Sequence, residues 1–189
     1  MIHGGFWRAR YDLLHAGHLC AALTAAGYPT ANIEYRRTGE IGGGWPGTFE
    51  DVKRAITFAG TASTIVVGHS AGGHLALWVA SELSCLTAAI GLAPVATLHQ
   101  SLSNHAAREF MGGDPWEFPE RYAFADPALP TPVPRIIIHG DADEIIPIAL
   151  SRNYNAPAKL IELPGASHFD VIDPDTPAFA SLLAELARV

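Results

Sequence analysis

Five short apolar runs alternate with segments of helical spacing along this 189-residue chain, and that alternation restricts its fold more than any other feature. The runs lie near residues 30–35, 63–68, 87–92, 134–139 and 158–163, and each has the length of a buried strand. The helical segments fall near 12–26, 47–59, 71–83, 147–154 and 176–188, with Gly27, Gly60, Pro94, Gly140 and Gly165 as punctuation. Parallel neighbours in a sheet need long crossovers, and the crossover helices cover both faces. The expected class is therefore α/β: a mostly parallel sheet with helices on both sides. Residues 95–131 break the rhythm, with short helical patches and the turn Gly112-Gly113-Asp114-Pro115. They read as a small cap-like insertion on the loop side of one domain spanning residues 1–189. A hydrophobic content of 49% against 16% charged residues suits one sizeable core.

The chemistry gathers where strands end. Gly68-His69-Ser70-Ala71-Gly72 follows the run Ser63-Thr64-Ile65-Val66-Val67 and precedes the helical segment that opens at Ala71. A serine between flanking glycines at a strand-to-helix junction sits in a strained turn that exposes its hydroxyl, and side chains at the glycine positions would crowd the neighbouring elements. The pentapeptide alone is a weak signal. A serine hydroxyl also needs a histidine to take its proton and a carboxylate to orient that histidine. Asp141-Ala142-Asp143 follows the strand Arg135-Ile136-Ile137-Ile138-His139, and His168 follows the strand Lys159-Leu160-Ile161-Glu162-Leu163. Both therefore reach the sheet edge that carries Ser70. Between the two aspartates the spacing into the next helix favours Asp143 as the orienting acid, with Asp141 shaping the loop; helix capping is the bland alternative for either.

Acyl transfer further needs N–H donors for the developing oxyanion. One is the amide of Ala71, next after the nucleophile. The others are expected from His3-Gly4-Gly5-Phe6-Trp7, where glycines permit close backbone approach: the amides of Gly5 and Phe6, with His3 tying the loop down. His69 and His74 flank the serine and read as packing or capping groups. Phe110, Met111, Trp116, Phe118 and Tyr122 in the insertion serve equally as a substrate wall or as a cluster holding the insertion to the sheet.

Charge excludes some classes of partner. A net charge of -7 and no Lys/Arg cluster argue against nucleic acid and against an anionic membrane surface. No apolar run is long enough to span a membrane, and Met1-Ile2-His3-Gly4-Gly5 lacks the features of a signal peptide, so the chain reads as cytoplasmic. Cys20 and Cys85 read as reduced thiols, and no His, Cys or Asp spacing argues for a metal. The expectation is no cofactor and a small-molecule ester as substrate. Oligomeric state leaves no mark on the sequence.

Together, His3-Gly4-Gly5-Phe6-Trp7, Glu34-Tyr35-Arg36-Arg37, Gly68 to Ala76, His139-Gly140-Asp141-Ala142-Asp143 and Ser167-His168-Phe169-Asp170 resemble the α/β-hydrolase superfamily. Within it, the resemblance is to the kynurenine-formamidase-like and feruloyl-esterase-like branch of carboxylesterases. It implies Ser70 as nucleophile, His168 as base, Asp143 as acid and an oxyanion hole drawn from the His-Gly-Gly segment. The implied reaction is cleavage of a small ester through an acyl-enzyme, with aryl formamide hydrolysis as one alternative and a catalytically silent binding domain or fragment as the other. The resemblance also implies two strands ahead of the one that delivers His3, itself several residues long. Only Met1 and Ile2 stand there, so N-terminal strands are expected to be missing, leaving a gap in the middle of the sheet.

Overall fold

The computed structural model describes residues 1–60, 63–99 and 105–189. Four strands form one parallel sheet in sequence order: β1 (Ile65–His69), β2 (Ala88–Leu92), β3 (Arg135–Gly140) and β4 (Lys159–Leu163). Their register is continuous, with Gly68, Gly91, Ile137 and Leu160 in one row across the sheet. All four strands end at the same edge, so the segments that follow Gly68, Gly140 and Leu163 converge there.

Side chains alternate between two apolar layers, as the pleat requires. Val67, Ile90, Leu92, Ile136 and Ile138 face one side and meet Leu19 and Leu23 of α1 (Gly17–Ala25) and Leu182 and Leu186 of α7 (Pro177–Leu186). Val66 and Ala89 face the other side, against Phe49, Val52 and Ile56 of α2 (Gly47–Ala59) and Leu75 and Trp78 of α3 (Ala71–Glu82). Helices thus cover both faces. The short helices α4 (Ala106–Met111) and α5 (Pro119–Phe124) lie in the 95–131 segment, and α6 (Ala149–Arg152) follows β3. Phe110, Met111 and Tyr122 join the core layer of α2 and α3, whereas Trp116 is exposed. Residues 100–104 of the expected insertion lie outside the described residues.

Three expectations need correction. The run at 30–35 forms no strand among the described residues: its pairing is the single parallel bridge Ile33 to Ile2, and Ile2 bridges Gly68 on its other side. The Ile2 amide donates to Val67 (2.8 Å), the Ile33 amide donates to Met1 (3.0 Å) and the His69 amide donates to Ile2 (3.1 Å). Residues 1–3 therefore close the expected gap at the carboxyl end of β1. Behind them, residues 28–33 and 63–67 border a cavity of about 540 Å³. The segment 12–26 divides into a 3-10 turn, Leu13–Ala16, and α1, because the Asp12 carboxylate accepts from the Leu14 amide at 2.9 Å and caps the turn. The segment 147–154 contracts to the single helical turn of α6. No helix among the described residues is long and apolar enough to cross a membrane.

Candidate active site

Ser70 occupies the junction of β1 and α3 with φ 55° and ψ -116°, a conformation costly for any residue with a side chain. The surroundings over-determine it. Its amide donates to Leu92 (2.9 Å), and its carbonyl accepts from the amides of His74 and Val95 (both 3.1 Å). The flanking glycines admit no side chain: a Cβ on Gly68 would lie 2.0 Å from the Gly72 carbonyl oxygen, and one on Gly72 would lie 2.3 Å from that of Ile2.

The His3–Trp7 segment runs directly beside this turn. A Cβ on Gly4 would stand 3.2 Å from the Ser70 Cβ, so the backbone there is in contact with Ser70. Gly5, Phe6 and Trp7 then take positive φ in succession, at 110°, 58° and 56°. The bend is anchored at both ends. Trp7 is buried and stacks on Phe110 of α4 at 4.6 Å between ring centroids, while Arg8 pairs with Glu109 at 2.9 Å. His3 Nε2 lies 2.8 Å from a Glu34 carboxylate oxygen, its ring stacks on Tyr35, and the Tyr35 hydroxyl donates to the His3 carbonyl at 3.0 Å. Among the described residues, the amides of Gly5, Phe6 and Ala71 donate no hydrogen bond.

Asp143 and His168 are joined. Asp143 Oδ2 accepts from His168 Nδ1 at 2.7 Å and from His139 Nε2 at 3.1 Å, while Oδ1 accepts from the amides of Ile145 (2.8 Å) and Ile146 (2.7 Å). Burial pushes this carboxyl upward, but the hydrogen bonds from His139, His168 and the Ile146 amide outweigh burial and hold it well below the usual carboxylate range. A proton on His168 Nδ1 leaves Nε2 bare, the state a general base needs. Asp141 acts elsewhere: its carboxylate accepts from the Gly165 amide at 2.6 Å and its own amide donates to Leu163 at 3.1 Å, tying together the loops after β3 and β4.

One contact stays open. No hydrogen bond joins the Ser70 hydroxyl to His168 among the described residues, although the ring of His69, adjacent to Ser70, lies 4.6 Å from that of His168. Such contacts are often long without substrate and tighten when it binds. The cavity of about 540 Å³ is not at this site; it lies at the amino ends of the strands.

Two further histidines, neither among the expected site residues, hydrogen-bond to these groups. His139 Nε2–H is shared between Asp143 and the Ile146 carbonyl (2.9 Å), and its Nδ1 accepts from the Ser151 hydroxyl at 2.7 Å. His69 reaches the His168 carbonyl at 3.0 Å. Position at the end of β3 and next to Ser70 was the available signal, but neither partner is visible from spacing. Trp45 packs against Phe49 and Phe124, so it covers core. The described residues contain no group of His, Cys, Asp and Glu able to hold a metal.

This parallel sheet with helices on both faces has the α/β-hydrolase fold of the solved structures it resembles. Residues 1–87 match the family model described as BD-FAE. Among curated proteins none matches the chain. Among solved structures, a truncated carbohydrate esterase from gut microbiota is 22% identical with a TM-score of 0.76, the match covering 99% of this chain and 83% of that one. A C6-C4 SN3 inhibited esterase B from Lactobacillus rhamnosis is 21% identical with a TM-score of 0.78, over 99% of this chain and 74% of that one. An acetyl ester-xyloside bifunctional hydrolase from Caldicellulosiruptor lactoaceticus is 20% identical with a TM-score of 0.72, over 98% of this chain and 79% of that one.

Proposed function

We propose that the chain is a cofactor-independent serine carboxylesterase acting on a small ester, with Ser70 as nucleophile, His168 as general base and Asp143 as its orienting acid. The observation that carries this reading is the 2.7 Å hydrogen bond between Asp143 and His168 Nδ1, at the sheet edge where Ser70 is held at φ 55°. His168 Nε2 takes the Ser70 proton as Oγ attacks the ester carbonyl, and the amides of Gly5, Phe6 and Ala71 receive the oxyanion. Collapse of the tetrahedral intermediate breaks the bond to the alcohol oxygen, which leaves with the proton from His168. Water then attacks the acyl-enzyme with His168 again as base, releasing the acid and restoring Ser70. Asp143 stays ionised throughout and stabilises the imidazolium. Esterases among the structural neighbours, including an esterase B inhibited by a tributyrin phosphonate, support the reaction class.

Treating the folded chain with a fluorophosphonate and locating the adduct by mass spectrometry tests the assignment. The expected adduct is on Ser70; an unmodified Ser70 in folded, reagent-exposed protein would refute it and favour a silent binding domain. Turnover of short p-nitrophenyl esters is expected to exceed that of N-formylkynurenine, and the opposite preference would make the chain an aryl formamidase.

A further inference from the structure

His69 is buried at the meeting point of every part of the site. It is the last residue of β1, it precedes Ser70, and its Nδ1 lies 3.0 Å from where a Cβ on Gly4 would stand. Its Nε2 is 3.0 Å from the carbonyl oxygen of His168, and its Nδ1 is 3.0 Å from Nε2 of His15 in the 3-10 turn. A carbonyl can only accept, so Nε2 carries the ring proton; the bare Nδ1 then accepts, and His15 Nε2 donates. The donor order is therefore fixed: His15 to His69 to the main chain of His168.

We propose that His69 is a positioning residue that clamps the loop of the general base onto the nucleophile turn, through the hydrogen bond from its Nε2 to the backbone of His168. The claim rests on the reading of Ser70 and His168 as nucleophile and base. Asp143 fixes the rotation of the His168 ring from one side, yet it contacts only the side chain. The His69 bond acts on the main chain, and it comes from the residue covalently attached to Ser70. The distance between base and nucleophile is thereby set through one rigid ring, not through two separate loops. Phe169 packs edge-on to His168 and tilted to His69, at centroid distances of 5.3 and 6.1 Å.

Two variants of the full chain separate positioning from packing. His69→Phe keeps the ring volume and removes both hydrogen bonds; His69→Gln keeps an N–H near the reach of Nε2. The Phe variant is expected to lower the rate of fluorophosphonate labelling and the kcat for p-nitrophenyl acetate by about 10- to 100-fold, with KM changed less than about twofold. The Gln variant is expected to recover most of that loss. Backbone hydrogen exchange over residues 164–172 should quicken in the Phe variant and not in the Gln variant. Equal losses in both variants, following their melting temperatures, overturn the proposal, as does a Phe variant with wild-type rates and exchange. Should the Phe variant not fold, imidazole ¹⁵N spectra of the wild type decide: a slowly exchanging Nε2 proton on His69 supports the clamp, and an Nδ1-protonated His69 rules it out. Wild-type protein that takes no label on Ser70 would defeat the serine esterase reading instead, while exchange and tautomer still report on the clamp.

Discussion

The two ends of the sheet are packed to opposite tolerances. At the carboxyl ends, a methyl group placed on Gly68 or Gly140 would fall 2.0 Å from a backbone oxygen, and three turns interlock through main-chain contacts. At the amino ends, the backbones of residues 28–33 and 63–67 stand apart around a cavity of about 540 Å³. One sheet thus concentrates its closest approaches where the reactive groups converge and leaves its looseness at the far end. Close backbone contact defines geometry at sub-ångström level, which a serine, a base and three amides acting together require. Core burial alone needs no such precision, so the amino end tolerates a void.

Substitutions at the crowded end should be the most damaging, beginning with chemistry. Asp143→Asn keeps the shape of the side chain but offers an N–H where His168 needs an acceptor, so the base adopts the wrong tautomer. The expected loss in kcat is about 10⁴-fold in folded protein, measured with a p-nitrophenyl ester. Next comes the contrast in packing. Gly72→Ala forces a methyl group against the carbonyls of Ile2 and His3, at 2.3 and 2.4 Å, and should cost several kcal/mol in urea unfolding together with most activity. Ala59→Leu, which enlarges a side chain on the cavity wall, should change stability by no more than about 0.5 kcal/mol. Comparable costs at both positions would dissolve the distinction between the two ends.

A smaller effect is expected with acid. His74, buried in α3 four residues after Ser70, donates through Nε2 to the Ala125 carbonyl at 2.8 Å, and burial lowers its pKa to about 4. The unfolded chain therefore binds a proton on this group first. Stability should fall as pH drops from about 6.5, the unfolded value, to about 4, and this contribution should level off below that. The total is on the order of 3 kcal/mol, and His74→Gln should flatten the slope seen in urea midpoints taken at pH 7, 5.5 and 4. Asp143 works with the same sign but at lower pH: its folded value is depressed, so its stabilisation is complete above the unfolded carboxylate range and is lost only in stronger acid.

Much of this architecture was legible because strand and helix write different periods. The runs at 63–68, 87–92, 134–139 and 158–163 became β1 to β4 within a residue or two at each end: β1 to β3 are buried and so largely apolar, and the partly exposed edge strand β4 keeps Leu160, Ile161 and Leu163 between Lys159 and Glu162. The run at 30–35 alternates Ala31, Ile33 and Tyr35 with Thr30, Asn32 and Glu34, a strand-like pattern, yet Ile33 finds a partner only in the short stretch around Ile2, so it makes a bridge and not a ladder. Composition reports what a segment can do; the length of its partner decides what it does. The site divides in the same way. Ser70, Asp143 and His168 could be put forward because each follows a strand and each has a residue type that acyl transfer demands, and the structure brings Asp143 and His168 into contact. His69 and His139 could not, because their roles lie in hydrogen bonds that reach 99 residues along the chain in one case and depend on the fold of a loop in the other.

Gly5, Phe6 and Trp7 bend the same unfavourable way one after another, and the bend is held by a tryptophan wedged against the small helix at 106–111. Its curvature is settled while the molecule folds, long before any ester arrives. A phosphonate entering beside Ser70 should then order little backbone, and its grip should owe more to inherited shape than to movement during turnover.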